Sequence, residues 1–146
     1  MVSLNLPSIE KRTKHAHGKV WIFDGIRKKY VVLTPEEWVR QHVIGYLINQ
    51  LGYPKSLIRV EYSLVYNKLS KRSDVVVFNR SGQPWMVVEC KAPEIKLDDQ
   101  TARQISVYNQ TLNASYLVVT NGLVMYCFNT QQLELPVCEM PEYPVG

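Results

Sequence analysis

Two short hydrophobic runs, Asp74-Val-Val-Val-Phe78 and Trp85-Met-Val-Val-Glu-Cys-Lys91, sit mid-chain and are joined by Asn79-Arg80-Ser81-Gly82-Gln83-Pro84, a segment rich in turn-forming residues. Runs of this length and composition, bounded by turn signals, read as two adjacent strands paired through that turn. Alternate side chains of a strand share a face, so Glu89 and Lys91 point one way while Cys90 points into the opposite layer. Pairing brings Asp74 beside them. Two carboxylates and an ammonium then converge on one spot.

Metal-assisted hydrolysis of a phosphodiester needs that layout. Mg²⁺ takes oxygen ligands, usually one or two carboxylates together with waters and substrate phosphate oxygens. Asp74 and Glu89 offer the carboxylates, and the backbone carbonyl of Cys90 is available as a third protein oxygen. Lys91 would lie against the scissile phosphate, orienting the attacking water and stabilising charge in the transition state. Such short strings also arise by chance, and a strand ending in Glu-x-Lys is often a solvated edge whose ion pair is worth little. The flanking chain has to decide.

Thr34-Pro35-Glu36-Glu37 opens a helix with an N-cap Thr, Pro at the first helical position and acids in the first turn. The helix is expected to run to about Leu51 and stop at Gly52. Glu36, Arg40, Ile44, Leu47, Ile48 and Leu51 share one stripe at helical spacing, which turns toward the core. Glu37 has a sufficient task as capping-box partner of Thr34. Glu36 has none, so it is either a carboxylate aimed at the site or a partner of Arg40 one turn on.

The segment Leu57–Tyr66 alternates as a half-exposed strand, completing a three-stranded meander. Asp98 or Asp99 can cap a second helix through roughly Leu112, with Gln104 and Tyr108 one turn apart on one face. Ser115–Thr120 and Leu123–Phe128 read as strands paired through a two-residue Asn121-Gly122 turn. Lys19–Phe23 and Arg27–Leu33 suggest a further hairpin at the front. Three regions result: a basic, poorly ordered arm over 1–18, a domain over 19–130, and a Pro-rich tail over 131–146.

At 146 residues, 46% hydrophobic and 21% charged, the chain is expected to bury one conventional core. Met1–Arg12 has no apolar core of a signal peptide and no run is long enough to span a membrane, so a cytoplasmic protein is expected. Three scattered cysteines, Cys90, Cys127 and Cys138, fit buried thiols better than disulfides or zinc. His15-Ala16-His17 and His42 lack partners at metal-ligand spacing. Net charge is asymmetric: residues 1–91 carry fifteen Lys/Arg against seven Asp/Glu, whereas residues 92–146 carry two against six. Three basic clusters, at 11–19, 27–29 and 68–72, therefore share the half that holds the proposed site. Each alone reads as a solvated turn; together they fit nucleic-acid phosphate.

Taken in order, Glu36 with Arg40, Lys71-Arg72-Ser73-Asp74, Val87-Val88-Glu89-Cys90-Lys91-Ala92-Pro93, Gln104-Ile-Ser-Val-Tyr108 and Val118-Val119-Thr120-Asn121-Gly122 resemble the N-terminal nuclease domain of type I restriction enzyme R subunits, within the PD-(D/E)xK nuclease superfamily. The likeness covers about residues 20–130. It implies an α/β, restriction-endonuclease-like fold with a four-strand mixed core flanked by helices, Mg²⁺ or Mn²⁺ as cofactor, and cleavage of double-stranded DNA beside a helicase motor and methyltransferase or specificity subunits. By the same likeness Asp74 and Glu89 correspond to the metal-binding acids and Lys91 to the catalytic lysine. Glu36 corresponds to the family's first-helix Glu, and Gln104 with Tyr108 to its Q-x-x-x-Y element, a pair that could equally be polar residues on a packed helix. Ser73 replaces the usual Pro before the Asp. The chain has no Gly-x-x-x-x-Gly-Lys-[Ser/Thr] loop and no room for a motor, so it is an orphan relative, an accessory protein or a piece of something longer. Three functions follow: a Mg²⁺-dependent DNA endonuclease domain, a nuclease-fold module that binds DNA or assembles without cutting, or an interaction domain whose Glu-x-Lys is incidental.

Overall fold

In the computed structural model, which describes residues 1–66, 68–109, 113–131, 136–137 and 139–144, the meander is the centre of the fold. Strands β4 (Ile58–Tyr66), β5 (Leu69–Phe78) and β6 (Pro84–Cys90) pair antiparallel in that order. The β5–β6 turn forms because Asn79 Oδ1 accepts the backbone N–H of Ser81 and Gln83, each at 3.0 Å, while Gly82 takes the left-handed φ of +79°. Helix α2 (Asp99–Asn109) then crosses over, and β7 (Tyr116–Thr120) joins β6 in parallel. Strand β8 (Met125–Asn129) returns antiparallel to β7, and β9 (Pro136–Val137) closes a six-stranded mixed sheet, one short strand more than the five read along the chain.

The β7–β8 connection differs from the expected two-residue turn. Thr120 pairs with Met125, leaving a four-residue loop, because Asn121 spends its Oδ1 on the N–H of Leu123 and Val124. Asp98, not Asp99, caps α2 through the N–H of Thr101 at 2.8 Å. The expected end of α2 at Leu112, like Cys138, lies outside the described residues.

Alternation along β5–β8 gives the sheet two apolar faces. Val75, Val77, Met86, Val88, Cys90, Val118 and Cys127 pack with Val39, Val43 and Leu47 of helix α1 (Pro35–Asn49). Val119 and Phe128 face the other way onto Ala102 and Ile105 of α2. Thr34 caps α1 as expected, its Oγ1 accepting the N–H of Glu37 at 3.0 Å. The helix is buried beyond one stripe, however, with every residue from Glu37 to Ile44 buried. The second layer over α1 is the N-terminal segment.

That layer is a three-stranded antiparallel sheet of β1 (Thr13–Ala16), β2 (Lys19–Asp24) and β3 (Lys29–Val32), one strand more than the expected hairpin. Ahead of it, Leu4 and Leu6 pack on the main core, Asn5 bonds Gly122 and Leu123, and Trp38 Nε1 donates to the carbonyl of Val2 at 2.8 Å. The basic segment 1–18 thus carries a strand and covers the helix. The C-terminal stretch is also anchored: Met140 and Tyr143 are buried in the core, and Tyr53 Oη donates to the Pro141 carbonyl at 2.6 Å.

Candidate active site

The ladder pairs Val60 with Val75 and Val75 with Val88. One step further along all three strands stand Glu61, Asp74 and Glu89, a row of carboxylates across β4, β5 and β6. Like charges opposite one another destabilise a sheet, and the backbone here departs from regular pairing. Glu61 adopts a left-handed φ of +51° inside its strand. Asp74 replaces the missing β5–β6 ladder bond with its side chain: Oδ2 accepts the backbone N–H of Cys90 at 2.7 Å.

This bond also fixes the Cys90 carbonyl. The N–H and C=O of a strand residue face the same neighbour, so that carbonyl is directed to the Asp74 side, while the next N–H, that of Lys91, donates to Thr120 on β7 at 2.8 Å. The Cys90 side chain is buried under α1, and burial pushes its thiol well above the ordinary range, which makes it inert. Glu89 is in register with Val119, so its carboxylate lies on the α2 face. Lys91 is about one-third exposed, and its Nζ stands 3.4 Å from Glu89 Oε1.

Glu36 enters from the first turn of α1 and is exposed. Desolvation, and after it the charge of Asp74, pushes its carboxyl above the ordinary value. Burial likewise raises Glu89, with Asp74 and Glu36 adding to the effect against Lys91. Burial raises Asp74 too, outweighing the Cys90 N–H, Arg40 and Lys91. All three carboxyls are thus raised first by burial, with neighbouring acids adding to the effect.

The donor set fits a hard cation. Among the described residues no three His, Cys, Asp or Glu side chains converge to hold an ion alone. Two carboxylates with one backbone carbonyl nevertheless match Mg²⁺, which keeps several waters and substrate oxygens in its shell.

Glu37 does something other than cap its helix. Its carboxylate is buried and accepts from Arg27, Arg40 and Gln41 at 2.8–3.0 Å, while Thr34 N–H goes to the Val32 carbonyl. Arg40, taken up by Glu37, turns its remaining nitrogen toward Asp74, 3.8 Å from Oδ1. The fully buried Asp24 anchors this network, holding Arg27 and Gln41. Glu61 joins it through Arg27, Arg40 and Arg72 at 3.6, 3.4 and 2.9 Å. Sequence reading missed Glu61 and the Asp24–Arg27 clamp; counting register back from Asp74 would have found Glu61.

Of the six side chains expected at the site, Glu89 and Lys91 stand 3.4 Å apart, and Asp74 and Glu36 are near enough for their charges to act on that pair. Gln104 is exposed on α2 and makes no hydrogen bond to them among the described residues. The side chain of Tyr108 lies outside the described residues.

A meander continued by a parallel crossover strand, with helices on both faces and a three-stranded N-terminal sheet, defines a restriction-endonuclease-like fold. The chain belongs to the family of the type I restriction enzyme R protein N terminus (HSDR_N), whose model matches residues 35–144. Among solved structures it is similar to the fragment structure of a proposed HsdR subunit of a type I restriction enzyme from Vibrio vulnificus, with a TM-score of 0.57 and 21% identity over 76% of this chain and 24% of that one. It thus spans about a quarter of that relative. A proposed nuclease belonging to DUF820 from Anabaena variabilis gives a TM-score of 0.43 and 15% identity over 87% of this chain and 76% of that one. No curated protein matches the chain. Among the described residues no helix is long and apolar enough to cross a membrane.

Proposed function

We propose that this domain hydrolyses phosphodiester bonds of double-stranded DNA with Mg²⁺ or Mn²⁺, as the nuclease part of a type I restriction assembly. The single observation that carries this reading is the register that pairs Val75 with Val88, which puts Asp74 and Glu89 one residue further on along neighbouring strands, with Lys91 just past the end of β6 and its Nζ 3.4 Å from Glu89 Oε1. Asp74 and Glu89, with the Cys90 carbonyl, would hold the cation. Bound there, it supplies positive charge to the phosphate and lowers the pKa of water. Lys91 exchanges its ion pair with Glu89 for a phosphate oxygen and stabilises the charge that builds on it. Glu36, in the first turn of α1, is the further carboxylate assigned to the site, within the electrostatic reach of Asp74 and Lys91. Gln104 and Tyr108 are assigned to the substrate side only by the family resemblance, Gln104 being exposed on α2.

The test is calorimetric titration of Mg²⁺ or Mn²⁺ into wild type and Asp74→Ala/Glu89→Ala, with plasmid nicking on the same samples. Binding and nicking lost together in the double variant support the assignment. Metal binding without nicking, even beside motor and specificity subunits, assigns the domain to the non-cleaving DNA-binding or assembly class. Nicking that survives in the double variant and in Lys91→Ala removes these residues from the mechanism.

A further inference from the structure

We propose that the cleft between the β2–β3 turn and the start of β4 binds one phosphate of a polynucleotide backbone, at a distance from the carboxylate row. The proposal rests on the reading that this chain acts on nucleic acid. The cleft has a volume of about 490 Å³ and is lined by Lys28, Lys55 and Arg59 together with Gly25 and Ser56, with no acid in its wall. All three cations are exposed.

Among the described residues none of the three has a carboxylate within ion-pair distance, although Arg27, next to Lys28, has three. The neighbouring acid explains the contrast. Asp24 is fully buried and turned inward, saturated by the N–H of Ile26 and Arg27 and by the Arg27 and Gln41 side chains.

The site is held in shape. Arg59 Nη1 donates to the carbonyls of Ser56 at 2.7 Å and Ile58 at 3.0 Å, which pins the guanidinium and leaves its other donors free. Lys55 lies across Gly25, its Nζ 3.3 Å from where a Cβ would stand. Three like charges around one cleft without a carboxylate counter-ion repel one another, and a phosphate relieves that repulsion while accepting several charge-assisted bonds.

Position identifies the ligand. Arg59 pairs with Val76, two residues beyond Asp74 on β5, which is about 7 Å along the sheet. The cleft beside it is lined by Arg27, Glu36, Arg40 and Glu61, so the two adjoin through Arg27–Lys28 and Arg59–Glu61. One strand laid along this edge meets the carboxylate row and the cations.

The experiment is fluorescence-anisotropy binding of a labelled DNA duplex across a salt series in EDTA. It compares wild type, Lys28→Ala/Lys55→Ala/Arg59→Ala, an equally discharged control Arg80→Ala/Lys96→Ala/Arg103→Ala, and Asp74→Ala/Glu89→Ala, all checked for folding by circular dichroism. The slope of log K against log salt is expected to fall by about one in the cleft variant, by well under half of that in the control, and not at all in the carboxylate variant. Equal slopes in wild type and the cleft variant, or an equal fall in the control, overturn the inference and leave the nuclease reading standing. A cleft that binds inorganic phosphate without affecting the duplex slope is a small-anion site and overturns it as well. No duplex binding by wild type at low salt overturns both readings.

Discussion

Asp74 Oδ2 accepts the Cys90 backbone N–H at 2.7 Å, so the carboxylate proposed as a cation ligand also ends the β5–β6 ladder. The structural duty is separable from the proposed chemical one. Asp74→Ala therefore leaves a strand N–H without its acceptor and is expected to cost about 1–3 kcal/mol. Asp74→Asn keeps an acceptor oxygen and should cost less than Asp74→Ala, yet abolish Mg²⁺ binding as fully. Urea unfolding beside metal titration separates the two losses; equal stability of the variants would show that the Cys90 bond contributes nothing.

Glu37 is the charge on which the helix start depends. Burial alone would push its carboxyl up, but hydrogen bonds from Arg40 and Arg27 outweigh this and hold it below its ordinary value. Glu37→Ala is expected to destabilise by about 3–5 kcal/mol, because Arg40 is left buried without its main partner. With its folded value depressed, Glu37 contributes its stability fully above its unfolded value and loses it as pH falls through the folded one. Thermal melts should therefore show wild type losing its advantage over Glu37→Gln on acidification. An advantage that is constant between pH 7 and strong acid would refute the assignment.

The backbone at Glu61 carries strain that only glycine escapes. Glu61→Ala and Glu61→Gly lose the same three arginine pairs, but alanine keeps the cost of φ +51° and glycine does not. The glycine variant should be the more stable by about 1 kcal/mol, a reversal of the usual order within a strand. Chemical denaturation of both variants decides it.

At the other end, Tyr53 ties the C-terminal stretch to the core. Its hydroxyl donates to Pro141 and accepts from Trp85 Nε1, and burial pushes its pKa up to about 12. Tyr53→Phe should cost about 1–2 kcal/mol, and Tyr143→Ala, which empties a core site, about 3–5 kcal/mol. A Tyr143→Ala melt indistinguishable from wild type would mean that residues 139–144 leave the core in solution.

What the residues alone determined was local and periodic. The strands around Val75–Val77 and Met86–Val88, the Asn79–Pro84 turn and the Thr34 cap follow from side-chain volume, alternation and short-range hydrogen bonding, all of which are written within a few residues. The same alternation placed Glu89 and Lys91 on one face of their strand. Only the tertiary structure decided which long-range charges meet: Glu61 stands in the carboxylate row because of the β4–β5 register, and Glu37 leaves its expected capping role because Arg27 arrives from the N-terminal sheet. It also decided that Leu4 and Leu6 pack against the core and that Met140 and Tyr143 are buried in it, since those contacts depend on surfaces offered by distant segments. Periodicity records which side of an element is apolar; it holds no record of what will cover that side.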